Sequence, residues 1–133
     1  MYETSQDQAK RWVEDAIAHI KAVGKRIALA EFSNPRGRFV RDQFYIYVLS
    51  PTGTMLAHGV NERFVGEDFT EVRDSHGKPF IKEILEVANT KGSGWVDYRW
   101  YHPRRKRVFP KIAYCQKYED FIICSAVYND EEE

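Results

Sequence analysis

No stretch of this sequence approaches the roughly 18 apolar residues that cross a bilayer as a helix, and its mean hydropathy is −0.58. Neither charge is in excess, with 20 Lys and Arg against 20 Asp and Glu. A neutral chain sets up no global field toward nucleic acid or an anionic membrane. Cysteine is scarce: Cys115 and Cys124 are too few for a disulfide scaffold and leave two readings, one disulfide or two buried thiols. The four histidines (His19, His58, His76, His102) lie far apart and show no metal-ligand spacing. There is no Gly-rich phosphate loop, no His-Glu-x-x-His and no Gly-x-Ser-x-Gly elbow. The expectation is a non-enzymatic chain with no catalytic residue, no metal and no cofactor. Internal repeats and low-complexity linkers are also missing. The opening Met1-Tyr2-Glu3-Thr4 has no basic or apolar leader region. That leaves two readings: a cytoplasmic protein, or one whose targeting segment has been removed.

What is present suits a globular core, with 43% hydrophobic, 14% aromatic and 30% charged residues. At 133 residues the natural count is one domain over 1–133, with a helix in 1–33 and a sheet and pocket region in 34–133. Apolar residues at Ala9, Trp12, Val13, Ala16, Ile17, Ile20, Val23 and Ile27 follow the spacing of one buried helical stripe. Ser5 with Gln8 offers a capping box at its start. Gly24 weakens the middle and marks a place to kink, and Pro35 ends the helix. A helix of about 28 residues would be about 42 Å long, enough to project past a small sheet and pair with a second copy of the chain.

Strand signals follow. Phe44–Leu49 is β-prone, Ser50-Pro51-Thr52-Gly53 turns the chain, and Thr54–His58 returns. Residues 59–75 read as loop, and Pro79 opens a short helix from Phe80 to about Ala88. Trp95–Tyr101, Phe109–Lys117 and Phe121–Tyr128 read as a three-strand meander. The fold class is α+β, a five-stranded antiparallel sheet packed against a long N-terminal helix. The acidic end, 130–133, reads as a solvated tail.

If Tyr98 faces Lys111 and Cys115 faces Cys124, alternation puts Val96, Tyr98, Trp100, Lys111, Ala113, Cys115, Cys124, Ala126 and Tyr128 on one face. Small residues then form a floor, ringed by phenols, an indole and one ammonium. Such a face suits a cavity with convergent donors, in which Lys111 would meet a carboxylate. The competing reading is ordinary core with Lys111 snorkelling to solvent. The opposing face, with Trp95, Ile112, Tyr114, Ile123 and Val127, would pack on the helix. His58 has two readings, a donor at the pocket mouth or a strand-end cap. Tyr45 and Tyr47 share a face and are candidate pocket phenols. Arg104-Arg105-Lys106-Arg107 is the densest basic run. It reads as a solvated hairpin loop, or alternatively as the contact of an intracellular interaction or nucleic-acid-binding module.

The segments Tyr45-Ile46-Tyr47-Val48-Leu49, Leu56-Ala57-His58-Gly59, Val65-Gly66, Gly77-Lys78-Pro79-Phe80, Gly94-Trp95-Val96-Asp97-Tyr98-Arg99-Trp100, Pro110-Lys111-Ile112-Ala113-Tyr114 and Val127-Tyr128 occur in an order that resembles the single Cache domain of the Cache_2 type. This is a ligand-sensing module of bacterial chemoreceptors and sensor kinases. The resemblance implies a PAS-like sheet and a periplasmic or otherwise extracytoplasmic pocket for a small ligand, often a short carboxylate such as acetate, propionate, pyruvate or lactate. It implies Lys111 and Tyr98 as ligand-binding residues, with Tyr45, His58, Trp95, Trp100 and Tyr114 as further candidates. No nucleic-acid partner is implied, and membrane attachment would come through an anchor or a partner receptor. The chain would be either an excised sensor region or a free-standing Cache protein. Ala126 stands where the family usually has Gly.

Overall fold

The computed structural model describes residues 3–129; the expected acidic tail at 130–133 lies outside them. Helix α1 spans Ser5–Val23 and α2 spans Lys25–Phe32. The reciprocal cap lies one residue earlier than expected: Asp7 N–H donates to the Thr4 hydroxyl, and Thr4 N–H donates to the Asp7 carboxylate. Asp7 also faces the positive end of the helix dipole, an advantage that Gln8 would not share. Gly24, at φ 90°, separates the two helices, so the expected kink is a full break. The 19 residues of α1 reach about 28 Å, not the length of one continuous rod. The break also resets the buried stripe. Ala28 and Phe32 bury on α2, whereas Ile27 is 49% exposed. His19 Nε2 and Glu31 Oε1, 2.9 Å apart, tie the two helices together.

The sheet comprises β1 (Tyr47–Leu49), β2 (Met55–His58), β3 (Ser93–His102), β4 (Arg107–Tyr118) and β5 (Phe121–Tyr128), with α3 (Phe80–Lys91) between β2 and β3 in sequence. Strand order is β2-β1-β5-β4-β3, and every pair is antiparallel. The registers Tyr98↔Lys111 and Cys115↔Cys124 are those expected. Central β5 is buried on both faces. Phe121 and Ile123 join Val13, Ala16 and Ile20 under α1. Ile122, Cys124 and Ala126 join Phe80, Ile81 and Ile84 under α3.

Pairing in β1 begins at Tyr47 instead of the expected Phe44, which makes only an isolated bridge to Arg41. The chain is crowded there. A side chain at Gly59 would stand 2.8 Å from the Tyr45 Cβ, closer than carbon atoms tolerate, so glycine lets the two segments pass. In β2, register runs Val48↔Ala57 and then Leu49↔Met55, so Leu56 is the extra residue of a β-bulge. Strict alternation from Met55 would send His58 to the helix side. The bulge shifts the phase, and Met55 and His58 face the same side. Trp12 Nε1–H donates to the Phe39 carbonyl at 2.8 Å, pinning the 34–46 segment onto α1.

Residues 59–79 contain one 3₁₀ turn, Glu62–Phe64. Asp74 anchors this segment. One carboxylate oxygen accepts from His76 N–H and Lys78 N–H, and the other from Arg99 N–H of β3, each at 2.9 Å. Burial opposes ionisation, yet these bonds hold the carboxyl below its usual range. Replacing Asp74 with Ala leaves three donors without this acceptor. The expected loss is about 2–3 kcal/mol in urea unfolding, with faster hydrogen exchange at Lys78 and Arg99. A change below about 0.5 kcal/mol, the ordinary range of surface substitutions, would remove Asp74 as the anchor.

Candidate ligand-binding cavity

One chamber lies between the α3-side face of the sheet and the 59–79 segment, and a second adjoins it beside residues 42–45 and 100–104. The inner one has a volume of about 240 Å³ and the outer one about 480 Å³, and Tyr45, Val60, Trp100 and Lys111 line both. Lys111 therefore stands at their boundary. Its side chain is inward because Phe109, Lys111, Ala113 and Cys115 occupy alternate positions of β4. It is 3% exposed, so the snorkelling reading fails. Nζ donates to the Tyr45 hydroxyl at 3.2 Å and lies 4.5 Å from the centroid of the Tyr128 ring. Among the described residues no carboxylate pairs with it. Burial pulls the Lys111 ammonium below the usual lysine range, against a weaker opposing pull from Tyr128.

His58 combines both roles expected of it. Nδ1 accepts from Val60 N–H at 3.3 Å and Asn61 N–H at 3.0 Å, capping the turn after β2. With Nδ1 occupied as an acceptor, the proton of the neutral ring belongs on Nε2. The ring stacks against Tyr47 and meets Phe64 edge-on. Burial, reinforced by the Lys111 charge, lowers its pKa to about 4. The Tyr45 hydroxyl is pushed up to about 12 by burial alone.

Tyr47 of β1 and Tyr98 of β3 reach toward one another across β5 and β4, with hydroxyls 3.4 Å apart. Tyr98 stacks on Phe80 with ring centroids 4.0 Å apart, and Trp100 meets the same ring edge-on. The small floor expected to hold the ligand is used differently. Ala113, Cys115, Cys124 and Ala126 are buried in the core and line neither chamber. Their small side chains leave room for the two tyrosines, and the open space lies beside that pair, toward β2.

Five of the seven candidate residues come together at the chambers: Tyr45, His58, Tyr98, Trp100 and Lys111. Trp95 and Tyr114 do not. Each falls on the odd step of the alternation from Tyr98 and Lys111, so they project from the other face, where their rings pack 5.1 Å apart. Tyr114 there belongs to the helix-side core, whereas Trp95 is 37% exposed at its margin. Met55, Phe64, Phe69, Phe80 and Ile81 line the inner chamber without having been singled out in the sequence. The available signal was two phenylalanines, Phe64 and Phe69, in an otherwise polar loop. Cys115 and Cys124 are free and buried thiols. Burial and the neighbouring Cys115 keep Cys124 protonated, unsuited to nucleophilic attack. Of the basic run, Arg104 lines the outer chamber, and Arg105 and Arg107 lie over the Phe109 ring.

Residues 8–133 match the Cache domain family dCache_2. The chain belongs to the Cache domain family. Such domains are non-catalytic, ligand-binding sensors of the kind found in chemotaxis receptors. This Cache domain is 32% identical over 92 residues to the methyl-accepting chemotaxis protein McpP of Pseudomonas putida KT2440, a match covering 68% of this chain and 16% of that receptor's length. A periplasmic sensor domain of a chemotaxis protein superposes with a TM-score of 0.70 at 26% identity, covering 93% of this chain and 90% of that one. A Cache chemosensory domain described for carboxylic acid recognition superposes with a TM-score of 0.76 at 24% identity, covering 96% of this chain and 100% of that one. The PAS-like fold is likewise met in the PAS domain of the RpfR quorum-sensing receptor of Cronobacter turicensis, with a TM-score of 0.53 at 16% identity over 67% of this chain and 96% of that one. Among the described residues, no helix of the Cache domain is long and apolar enough to cross a membrane.

Because His58 is neutral when folded and has an ordinary pKa near 6.5 when unfolded, the unfolded chain binds more protons between pH 6.5 and 4. Stability from this group is therefore complete above pH 6.5 and lost as pH falls toward 4, by about 3 kcal/mol at 1.36 kcal/mol per pH unit. Urea unfolding of the His58→Gln variant should lack that component. Parallel pH profiles for variant and wild type would rule it out.

Proposed function

We propose that this Cache domain senses a small organic carboxylate, with Lys111 neutralising the anion. The single observation behind this reading is a buried ammonium at the boundary of two chambers with no acidic partner among the described residues. An unpaired buried charge is unfavourable, and an entering carboxylate is the partner that relieves it. Tyr45, held by Lys111, and His58, through Nε2–H, supply hydrogen bonds. Tyr98 fixes the wall through Tyr47 and Phe80, and Trp100 borders both chambers. The likeness to a carboxylic-acid-recognising Cache domain points the same way.

In this reading the sensor unit spans residues 1–133 and works in the periplasm as the sensing part of a chemotaxis receptor, as the similarity to a periplasmic sensor domain suggests. The N-terminal helices are the proposed contact between two copies. Their exposed side, including Ile27 at 49%, is what a second copy would cover. The alternative use of the basic 104–107 loop for nucleic acid gains no support, because two of its arginines lie on Phe109.

Replacing Lys111 with Met tests the assignment, since it keeps the shape and removes the charge. Calorimetry should lose carboxylate binding altogether, while the unliganded melting temperature stays equal or rises, because an uncompensated charge has left the interior. Retained affinity would take Lys111 out of the role. In wild type, affinity should decline as pH rises through the lowered Lys111 pKa, earlier than the ordinary lysine range.

A further inference from the structure

Resting on the carboxylate reading above, we infer that the ligand is a monocarboxylate carrying an apolar group about the size of a benzene ring, its head at Lys111 and its tail in the inner chamber. Volume is the first argument. An apolar cavity of about 150 Å³ is enough to take up benzene, and the inner chamber measures about 240 Å³. A two- or three-carbon acid would leave most of it unfilled.

Lining chemistry is the second argument. Met55, Phe64, Phe69, Phe80 and Ile81 present only hydrocarbon, thioether and ring faces, beside the polar groups of His58, Asn61 and the tyrosines. Phe64 and Phe69 meet edge-on at 5.0 Å, and Phe80 lies against Tyr98. Walls of this kind receive another ring or an alkyl chain by the same contacts. Charge is the third. Among the described residues, Lys111 is the only lysine or arginine lining the inner chamber, and no aspartate or glutamate lines it. A second carboxylate on the ligand would find no cation there, and an amino acid's ammonium would find no anion. For a ligand whose tail enters the inner chamber, dicarboxylates and amino acids are thereby disfavoured, and a single anionic head with an uncharged tail is what remains, since Asp42 and Arg104 line only the outer chamber.

Calorimetry on the intact chain should use acetate, propionate, butyrate, hexanoate, phenylacetate, succinate and benzyl alcohol. Affinity should rise by about fourfold for each methylene buried, so that hexanoate and phenylacetate bind at least tenfold tighter than acetate. Succinate should bind more weakly than butyrate, which has the same number of carbons. If acetate or propionate binds tightest, the inferred tail is wrong while carboxylate sensing stands. If none of the acids binds, both readings fall. If benzyl alcohol binds as tightly as phenylacetate, the anionic head is not recognised and the carboxylate reading fails. Ile81→Phe, which fills the inner chamber, should weaken phenylacetate at least tenfold and leave acetate within threefold. Unchanged phenylacetate affinity in that variant overturns the placement of the tail, and the wild-type series decides the ligand class even where the variant does not fold.

Discussion

A lysine ammonium taken out of water without a counter-charge among the described residues is the constraint around which this domain is arranged. Lys111 is 3% exposed and is stabilised only in part, by the Tyr45 hydroxyl and the faces of the Tyr45 and Tyr128 rings. Cation–π contacts and hydrogen bonds to neutral phenols recover less than a carboxylate would. The site thus holds unfavourable electrostatic energy in its empty form. Under the proposed function, an anion that enters relieves it, and binding draws on that difference as well as on direct contacts.

Holding that charge in place is a matter of strand geometry. Lys111 sits in a twelve-residue strand flanked by β3 and β5 along most of its length, so its backbone has little freedom to turn the side chain outward. Above the neighbouring small residues, the Tyr47–Tyr98 contact joins β1 to β3 over the two intervening strands. The same short β1 strand presents Tyr47 to the cavity side and Val48 to the helices. A movement of the Tyr47 wall is therefore also a movement of the surface on which the helical layer packs. Ligand affects that layer only to the extent that it binds one arrangement better than the other.

Much of this was legible in the sequence, for a definite reason. Strands β3, β4 and β5 are long and free of bulges, so alternation anchored at Tyr98↔Lys111 and Cys115↔Cys124 assigned both faces correctly. Where the backbone departs from period two, the reading lost its footing. The bulge at Leu56 is invisible in composition, yet it alone lets Met55 and His58 share a face. Gly24 was legible as a weak point but not as a full break, since that depends on how α2 turns back through His19 and Glu31. Trp95 and Tyr114 entered the candidate site through family motifs, although alternation had already put them on the helix side. The small residues Ala113, Cys115, Cys124 and Ala126 were rightly placed together, but small side chains record only that something large lies above them. Here it is two tyrosines. Phe64 and Phe69 stood out only as two rings in a polar loop, and nothing local says where such a loop folds back.

Two basic residues of the inner chamber, Lys111 and His58, are driven apart in protonation by the same burial. A lysine starts high enough that a downward shift can leave it charged, whereas a histidine starting near 6.5 and pushed to about 4 is neutral. The Lys111 charge itself contributes to keeping the proton off His58. The inner chamber consequently offers one positive charge together with a neutral N–H and several phenols. A monoanion cancels that charge, whereas a dianion would replace one buried charge with another of opposite sign. Charge number at this site is therefore fixed by desolvation acting on two different starting pKa values, and only secondarily by the count of basic residues.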